Sequence, residues 1–290
     1  MNLDQDVAVS PLTTDGLCLP TGNSHAPSAL ELIPTGILPL DHELGGGIRP
    51  GTLNLACAYT GDGKTSLMIH LAQTAAHLGH PVRIYHSEMD TANDYLPRVA
   101  RWQIGPEFRG SIQPLAFPLI KIEDIRHHPD RGLAAITRDI RALKAEQKLT
   151  PVIIVDSLDR PGDDRLQLEQ FARYLTDLTE AQGVVTWATS QANDKARETD
   201  TVTMQQLRDS RGKAFPCSLF IGLRKISDLV QDGNAVLTID KSRYGQKFQV
   251  RVRVDWAAQR FSDVDDTYQL PANVSTRTTR QICVPGDKSA

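Results

Sequence analysis

Apolar positions along the chain follow two rhythms. Short, almost unbroken apolar runs occur at 53–58, 82–86, 152–155 and 184–189, the length and composition of strands buried on both faces. Between them the spacing changes to threes and fours. Leu67, Leu71, Ala75 and Leu78, closed by Gly79, predict an amphipathic helix with a glycine at its C-terminal cap. Leu168, Phe171, Ala172, Leu175 and Leu178 form a second stripe, with Asp164, Glu169, Asp177 and Glu180 left for solvent. Apolar strands separated by helices imply an α/β fold with a mostly parallel central sheet flanked by helices, in which ligands bind at the carboxyl ends of the strands. Four later runs, 218–223, 235–239, 249–254 and 259–262, predict a C-terminal β extension that ends in a hairpin. Polar, Pro- and Gly-rich ends bracket this pattern, so residues 1–32 read as a flexible arm, 33–265 as one domain and 266–290 as a tail.

The candidate chemistry lies at the ends of the apolar runs. After the first comes Ala58-Tyr59-Thr60-Gly61-Asp62-Gly63-Lys64-Thr65, followed by Ser66 and the first predicted helix. Glycines there let backbone N–H groups turn towards phosphates at a helix N-terminus, Lys64 can reach the outer phosphates, and the Thr65 hydroxyl can ligate Mg²⁺. Gly61, Asp62, Gly63, Lys64, Thr65 and Ser66 are therefore expected to hold a nucleoside triphosphate, although Ala58 stands where the usual pattern opens on glycine. A glycine-rich turn that only joins strand to helix is the plain alternative. The third run delivers Asp156, a carboxylate placed to hold the metal beside Thr65. The second run delivers Glu88, a candidate general base for the attacking water. The fourth ends at Gln191, a neutral donor and acceptor suited to sensing a γ-phosphate. For each of these three, a capping or surface role is the bland reading.

Composition narrows the class. With 290 residues, 40% apolar and 23% charged, the chain has enough material for one substantial core. A net charge of -3, from 32 basic and 35 acidic residues, argues against a protein that coats nucleic acid with its whole surface and leaves room for a local basic channel. Cys18, Cys57, Cys217 and Cys283 have no metal-ligand spacing, so neither zinc nor disulfides are expected. His127 and His128, beside Pro129, read as loop residues. No run approaches the roughly 18 apolar residues of a membrane span, and the N-terminus lacks a basic-then-apolar leader, so a cytoplasmic protein is expected.

Six motifs follow one another in order: the phosphate loop ending Gly63-Lys64-Thr65, Ser87-Glu88-Met89, the Asp156 strand, Ser190-Gln191, Leu207-Arg208-Asp209-Ser210 and Lys241-Ser242-Arg243-Tyr244-Gly245. Together they resemble the motor domain of DnaB-type replicative helicases, of the RecA-like ATPase superfamily. Arg260-Phe261-Ser262-Asp263, following Val254 and Asp255, makes the bacteriophage branch the nearer likeness. The resemblance implies a RecA-like fold and a ring, usually of six subunits, with ATP and Mg²⁺ bound between neighbours and single-stranded DNA through the centre. It carries Lys64 and Thr65 onto the phosphate and metal ligands, Glu88 onto the base, Asp156 onto the second acidic residue and Gln191 onto the sensor. Arg243 matches the arginine finger that serves the adjacent subunit, with Lys241 beside it. DNA-contacting loops are expected after Asp156, offering Arg160 and Arg165, and after Gln191, offering Lys195, Arg197, Arg208, Arg211 and Lys213; a solvated mixed-charge loop is the alternative there.

The family commonly carries an N-terminal collar or primase region that is not matched here, and residues 1–32 are left as the candidate attachment for a replication partner. Two other readings share these residues: a RecA- or RadA-type recombination ATPase that forms filaments, and a nucleotide-dependent loader or accessory switch that does not unwind.

Overall fold

The apolar runs become the centre of one sheet. In the structure, a computed structural model that describes residues 31–104, 118–146, 149–159, 164–209, 211–226 and 234–263, nine strands are hydrogen-bonded in the order β3-β2-β4-β5-β1-β6-β7-β8-β9. They are β1 Thr52–Ala58, β2 Val82–His86, β3 Ile120–Asp124, β4 Val152–Asp156, β5 Val185–Gln191, β6 Leu219–Lys225, β7 Asn234–Ser242, β8 Phe248–Asp255 and β9 Arg260–Asp263. From β3 to β6 the pairings are parallel, and from β6 to β9 antiparallel. Both the mostly parallel sheet and its C-terminal extension are as the pattern predicts.

The alternation of side chains divides the core in two. Ala56 and Ala58 of β1 point to the layer of α1 Leu38–Glu43, α2 Lys64–His77 and α3 Leu96–Ile104, while Leu53, Leu55 and Cys57 point to the layer of α4 Leu133–Glu146 and α5 Arg165–Gln182. Every residue of β1 is buried, which is why the strand reads as an apolar run broken only by Asn54, whose amide donates to the Thr52 and Thr186 carbonyls. β8 is covered on one face only: Val250, Val252 and Val254 are buried, whereas Gln249, Arg251 and Arg253 are exposed.

Helix ends follow their residues. α2 runs out at Leu78, and Gly79 follows it with φ +91°. α5 starts on a reciprocal capping box between Asp164 and Gln167 and stops at Gly183 in the left-handed conformation. Of its predicted stripe, Leu178 is only partly buried, and Thr176 and Thr179 join the core instead.

Strand β3 is the element the apolar pattern does not show. Its sequence Ile-Lys-Ile-Glu-Asp places only Ile120 fully inside, because an edge strand with charged neighbours needs no apolar run. α3 is likewise unannounced: Asp90 accepts from the Asn93 N–H at 2.7 Å and a π-type turn, Thr91–Tyr95, leads into it. Cys57 and Cys217 are buried free thiols, each with its pKa pushed up to about 12 by burial. Cys18 and Cys283 lie outside the described residues, as do almost all of the arm and the whole of the tail.

Candidate active site

β1 delivers the chain to Ala58, and the turn that follows is closed by the Asp62 N–H donating to the Tyr59 carbonyl at 3.1 Å. Gly61 and Gly63 have φ of +90° and +100°, a region that residues with a Cβ occupy only under strain. A Cβ on Gly61 would meet nothing within 4 Å, so only the backbone conformation demands glycine there, whereas one on Gly63 would collide with the ring of Trp256. Gly63 is the N-cap of α2, and the first-turn N–H groups of that helix point out over the loop. Lys64 Nζ donates to the Ala58 carbonyl at 3.2 Å, so the ammonium lies over the loop. Arg224 braces the loop from β6 by a 3.0 Å ion pair with Asp62. Ser66 differs from the expectation in one respect: its buried hydroxyl donates to Gln259 Oε1 at 2.7 Å, which leaves only its main chain for a phosphate.

Because β2, β4, β5 and β1 are parallel neighbours, their carboxyl ends share one edge. His86 is in register with Asp156, and Ala58 with Gln191. Asp156 is 5% exposed and is held by three hydroxyl donors: Thr65 Oγ1 at 2.8 Å and Tyr95 Oη at 3.4 Å on Oδ2, and Thr189 Oγ1 at 2.6 Å on Oδ1. Glu88 is exposed, and its Oε1 accepts from Ser157 Oγ at 2.8 Å and from Gln191 Nε2 at 3.4 Å. Lys64, Thr65, Glu88, Asp156 and Gln191, far apart along the chain, thus converge. Behind them His86 stacks on Tyr95 with centroids 4.9 Å apart, and its Nε2 lies 2.8 Å from Thr91 Oγ1. Burial lowers the pKa of His86 and raises that of Tyr95, favouring the neutral form of each beneath the carboxylate.

The oxygens fit a hard divalent cation. The Thr65 hydroxyl in the first turn of α2 and the Asp156 carboxylate at the end of β4, 2.8 Å apart, are the donor types that Mg²⁺ takes together with water and phosphate oxygens.

Basic residues expected to touch DNA divide into two sets. Lys195, Arg197, Arg208 and Arg211 are exposed. Arg197 lies over the Tyr59 ring at 4.9 Å, and Arg208 donates to Gln191 Oε1 and, at 3.2 Å, to Asp209. Lys213 corrects the expectation: its side chain is 0% exposed and its ammonium is bound to Asp159, itself 2% exposed, so it does not project towards solvent. Of the other loop, Arg165 pairs with Glu169 at 2.9 Å, and Arg160 lies outside the described residues.

Lys241 and Arg243 stand at the other edge. Lys241 lies opposite Phe220 and Ser242 opposite Leu219, which in turn is in register with Asn54 near the start of β1. Arg243 N donates to the Ser218 carbonyl at 2.9 Å, and Ser218 N to Leu53 at 2.8 Å. The phosphate loop leaves β1 five residues further on, roughly 16 Å along the strand, beyond the reach of an arginine side chain. Lys241 Nζ caps the carbonyls of Ala214 and Phe215 at 3.1 and 2.6 Å, and burial lowers its pKa. Arg243 is 46% exposed, with Nη2 3.3 Å from the Pro216 carbonyl and Nη1 3.8 Å from Glu180.

Tyr95, Thr189, Ser157, Asp159 and Trp256 are site residues that the motifs miss. Thr189 had a local signal, since it precedes Gln191 by two and shares its face of β5. Trp256 had none, coming from the turn between β8 and β9.

No family model matches the chain. It is 26% identical over 267 residues to the replicative DNA helicase DnaB of Leifsonia xyli subsp. xyli (strain CTCB07), a match that covers 83% of this chain and 58% of that protein. The chain therefore spans little more than half the length of the curated relative. Among solved structures, an isolated ATPase domain superposes with a TM-score of 0.66 at 16% identity, covering 83% of this chain and 94% of that one. A DnaB-like replicative helicase described with its interactions with primase gives the same TM-score and identity, over 83% of this chain and 65% of that one. The fold is that of a RecA-like α/β ATPase domain. Within that class the likeness is to DnaB-type replicative helicases, in sequence as well as in fold. Among the described residues, no helix is long and apolar enough to cross a membrane.

Proposed function

We propose that this chain is an ATP-hydrolysing motor that assembles into a six-membered ring and translocates on single-stranded DNA as a replicative helicase does, with Mg²⁺ at each site and in the cytoplasm. The observation that carries the reading is the convergence of Lys64, the Thr65–Asp156 pair and the Glu88–Gln191 pair on one edge of the sheet. Lys64 and the first-turn N–H groups of α2 bind the triphosphate, and the Thr65 hydroxyl and Asp156 would hold Mg²⁺. The bound ion would supply charge neutralisation at the phosphate oxygens. Ser157 and Gln191 orient Glu88, which takes the proton of the attacking water. Arg243, too far from its own phosphate loop, is offered to a neighbouring subunit's triphosphate, so that hydrolysis depends on assembly. Lys195, Arg197, Arg208 and Arg211 provide exposed positive charge for a phosphate backbone without reading sequence. Residues 1–32 are the segment proposed to engage a replication partner.

The test is ATP hydrolysis with and without single-stranded DNA, in parallel with mass determination in ATP. DNA-stimulated turnover by a hexamer is expected. Hydrolysis by a monomer that ignores DNA would replace this reading with a nucleotide-dependent accessory switch, and open DNA-bound filaments would replace it with a recombination ATPase.

A further inference from the structure

Every polar group of Gln191 is engaged, and the partners run in two directions. Its side-chain amide donates to Glu88 at 3.4 Å, while its Oε1 accepts from the guanidinium of Arg208. Its carbonyl accepts from the Arg208 N–H at 2.9 Å, and its own N–H donates to Asp159 Oδ2 at 2.6 Å. The same oxygen of Asp159 takes the Ser190 hydroxyl at 2.9 Å, and the other binds the Lys213 ammonium. The single hydrogen of the Ser157 hydroxyl is shared between Glu88 Oε1 at 2.8 Å and the Asp159 carbonyl at 2.9 Å.

The pair is an odd device for stability alone. Burying two charges costs several kcal/mol per ion, about what their attraction returns, and an apolar pair of similar volume commonly serves as well. What an apolar pair would not provide is a carboxylate that fixes the Ser190 hydroxyl and the Gln191 main-chain N–H. Lys213 sits in the turn Arg211–Ala214, where the segment that begins at Asn193 returns to the body of the protein. That turn is seated closely: a Cβ on Gly212 would collide with Glu169 of α5.

We propose that Asp159 and Lys213 are positioning residues for hydrolysis and for its response to nucleic acid, holding the Gln191 main chain still so that its side chain alone links Arg208 to Glu88. The inference rests on the ATPase function proposed above. When a nucleic-acid phosphate draws off the Arg208 guanidinium, Gln191 Oε1 loses its donor while the Asp159 contact persists. The amide is then free to turn, and the hydrogen bonding of Glu88 changes with it. Without the fixed point, the same event is absorbed by movement of the strand end.

The experiment compares the wild type with Asp159→Asn/Lys213→Met, which removes both charges together and leaves none unpaired, and with Asp159→Glu, which keeps both charges but moves the carboxylate by one methylene. Thermal melting, kcat, KM for ATP and the factor of stimulation by oligo(dT) are measured for each. The neutral pair is expected to melt cooperatively and keep KM within about twofold, while kcat falls about tenfold or more and stimulation approaches one. Asp159→Glu is expected to show the same split between kcat and KM, which keeps the test open if the neutral pair does not fold. Wild-type kcat and stimulation in either folded variant would overturn the proposal. A wild type that shows no DNA-stimulated hydrolysis fails before any variant is made, so loss of the underlying function is distinguishable from loss of this inference.

Discussion

The two edges of the parallel sheet are built on opposite principles. At the carboxyl edge, four neighbouring strands bring an ammonium, two carboxylates, a hydroxyl and an amide together, and each finds a partner within the chain. At the amino edge, Arg243 is half exposed and its nearest carboxylate oxygen, on Glu180, is 3.8 Å away. An exposed pair at that distance contributes little to stability. The first edge is assembled by folding, and the second, in the function proposed above, offers Arg243 to a neighbouring subunit. A site whose stabilising cation comes from a neighbour cannot turn over before the neighbour is in place.

The largest effects should separate the two edges. Lys64→Ala removes the ammonium over the phosphate loop and should abolish hydrolysis while the protein still folds, as checked by turnover and melting. Arg243→Ala should lower kcat by about 10³-fold or more. Mixed with Lys64→Ala subunits it should regain activity, because one interface in the mixture then pairs an intact loop with an intact arginine; a mixture as inactive as its components would sink the assignment in trans. Next comes Glu88→Gln, expected to cost about 10²- to 10⁴-fold in kcat with ATP affinity kept, measured by single-turnover hydrolysis beside nucleotide binding.

A smaller effect probes the scaffold behind the carboxyl edge. His70 Nδ1 accepts from Trp102 Nε1 and the Phe261 N–H, each at 3.2 Å, and burial pushes the pKa from 6.5 down to about 4. The unfolded chain therefore takes up a proton at higher pH than the folded one. Stability from this group is complete above pH 6.5 and is lost as pH falls towards 4, on the order of 3 kcal/mol in all. Urea midpoints at about pH 7.5 and about pH 4.5 should show the loss, and His70→Gln should flatten it. The smallest effect concerns the loop: Arg211→Ala should weaken binding of single-stranded DNA a few-fold and reduce the salt slope by about one, read by anisotropy over a salt series.

Much of this was legible along the chain, and for a local reason. Phosphate loops, strand ends and helix caps depend on residues within a few positions of one another, so Gly61 to Thr65, Glu88, Asp156 and Gln191 could be placed at the ends of apolar runs before their distances were known. The edge strand β3 was not legible, because a strand half in solvent needs no apolar run. Nor was the fate of Lys213, which reads as one more cation in a mixed-charge loop until Asp159 is found against it, 54 residues away.

Sequence by itself determined the strand and helix rhythm, the phosphate loop and which residue types stand at which strand ends, since these rest on propensity and on interactions along the chain. Tertiary structure alone decided that Trp256 walls Gly63, that three hydroxyls hold Asp156, that Lys213 is buried and that Arg243 faces away from its own phosphate loop. Those facts depend on strand order and register, which local periodicity does not encode and which only the packing of distant elements sets.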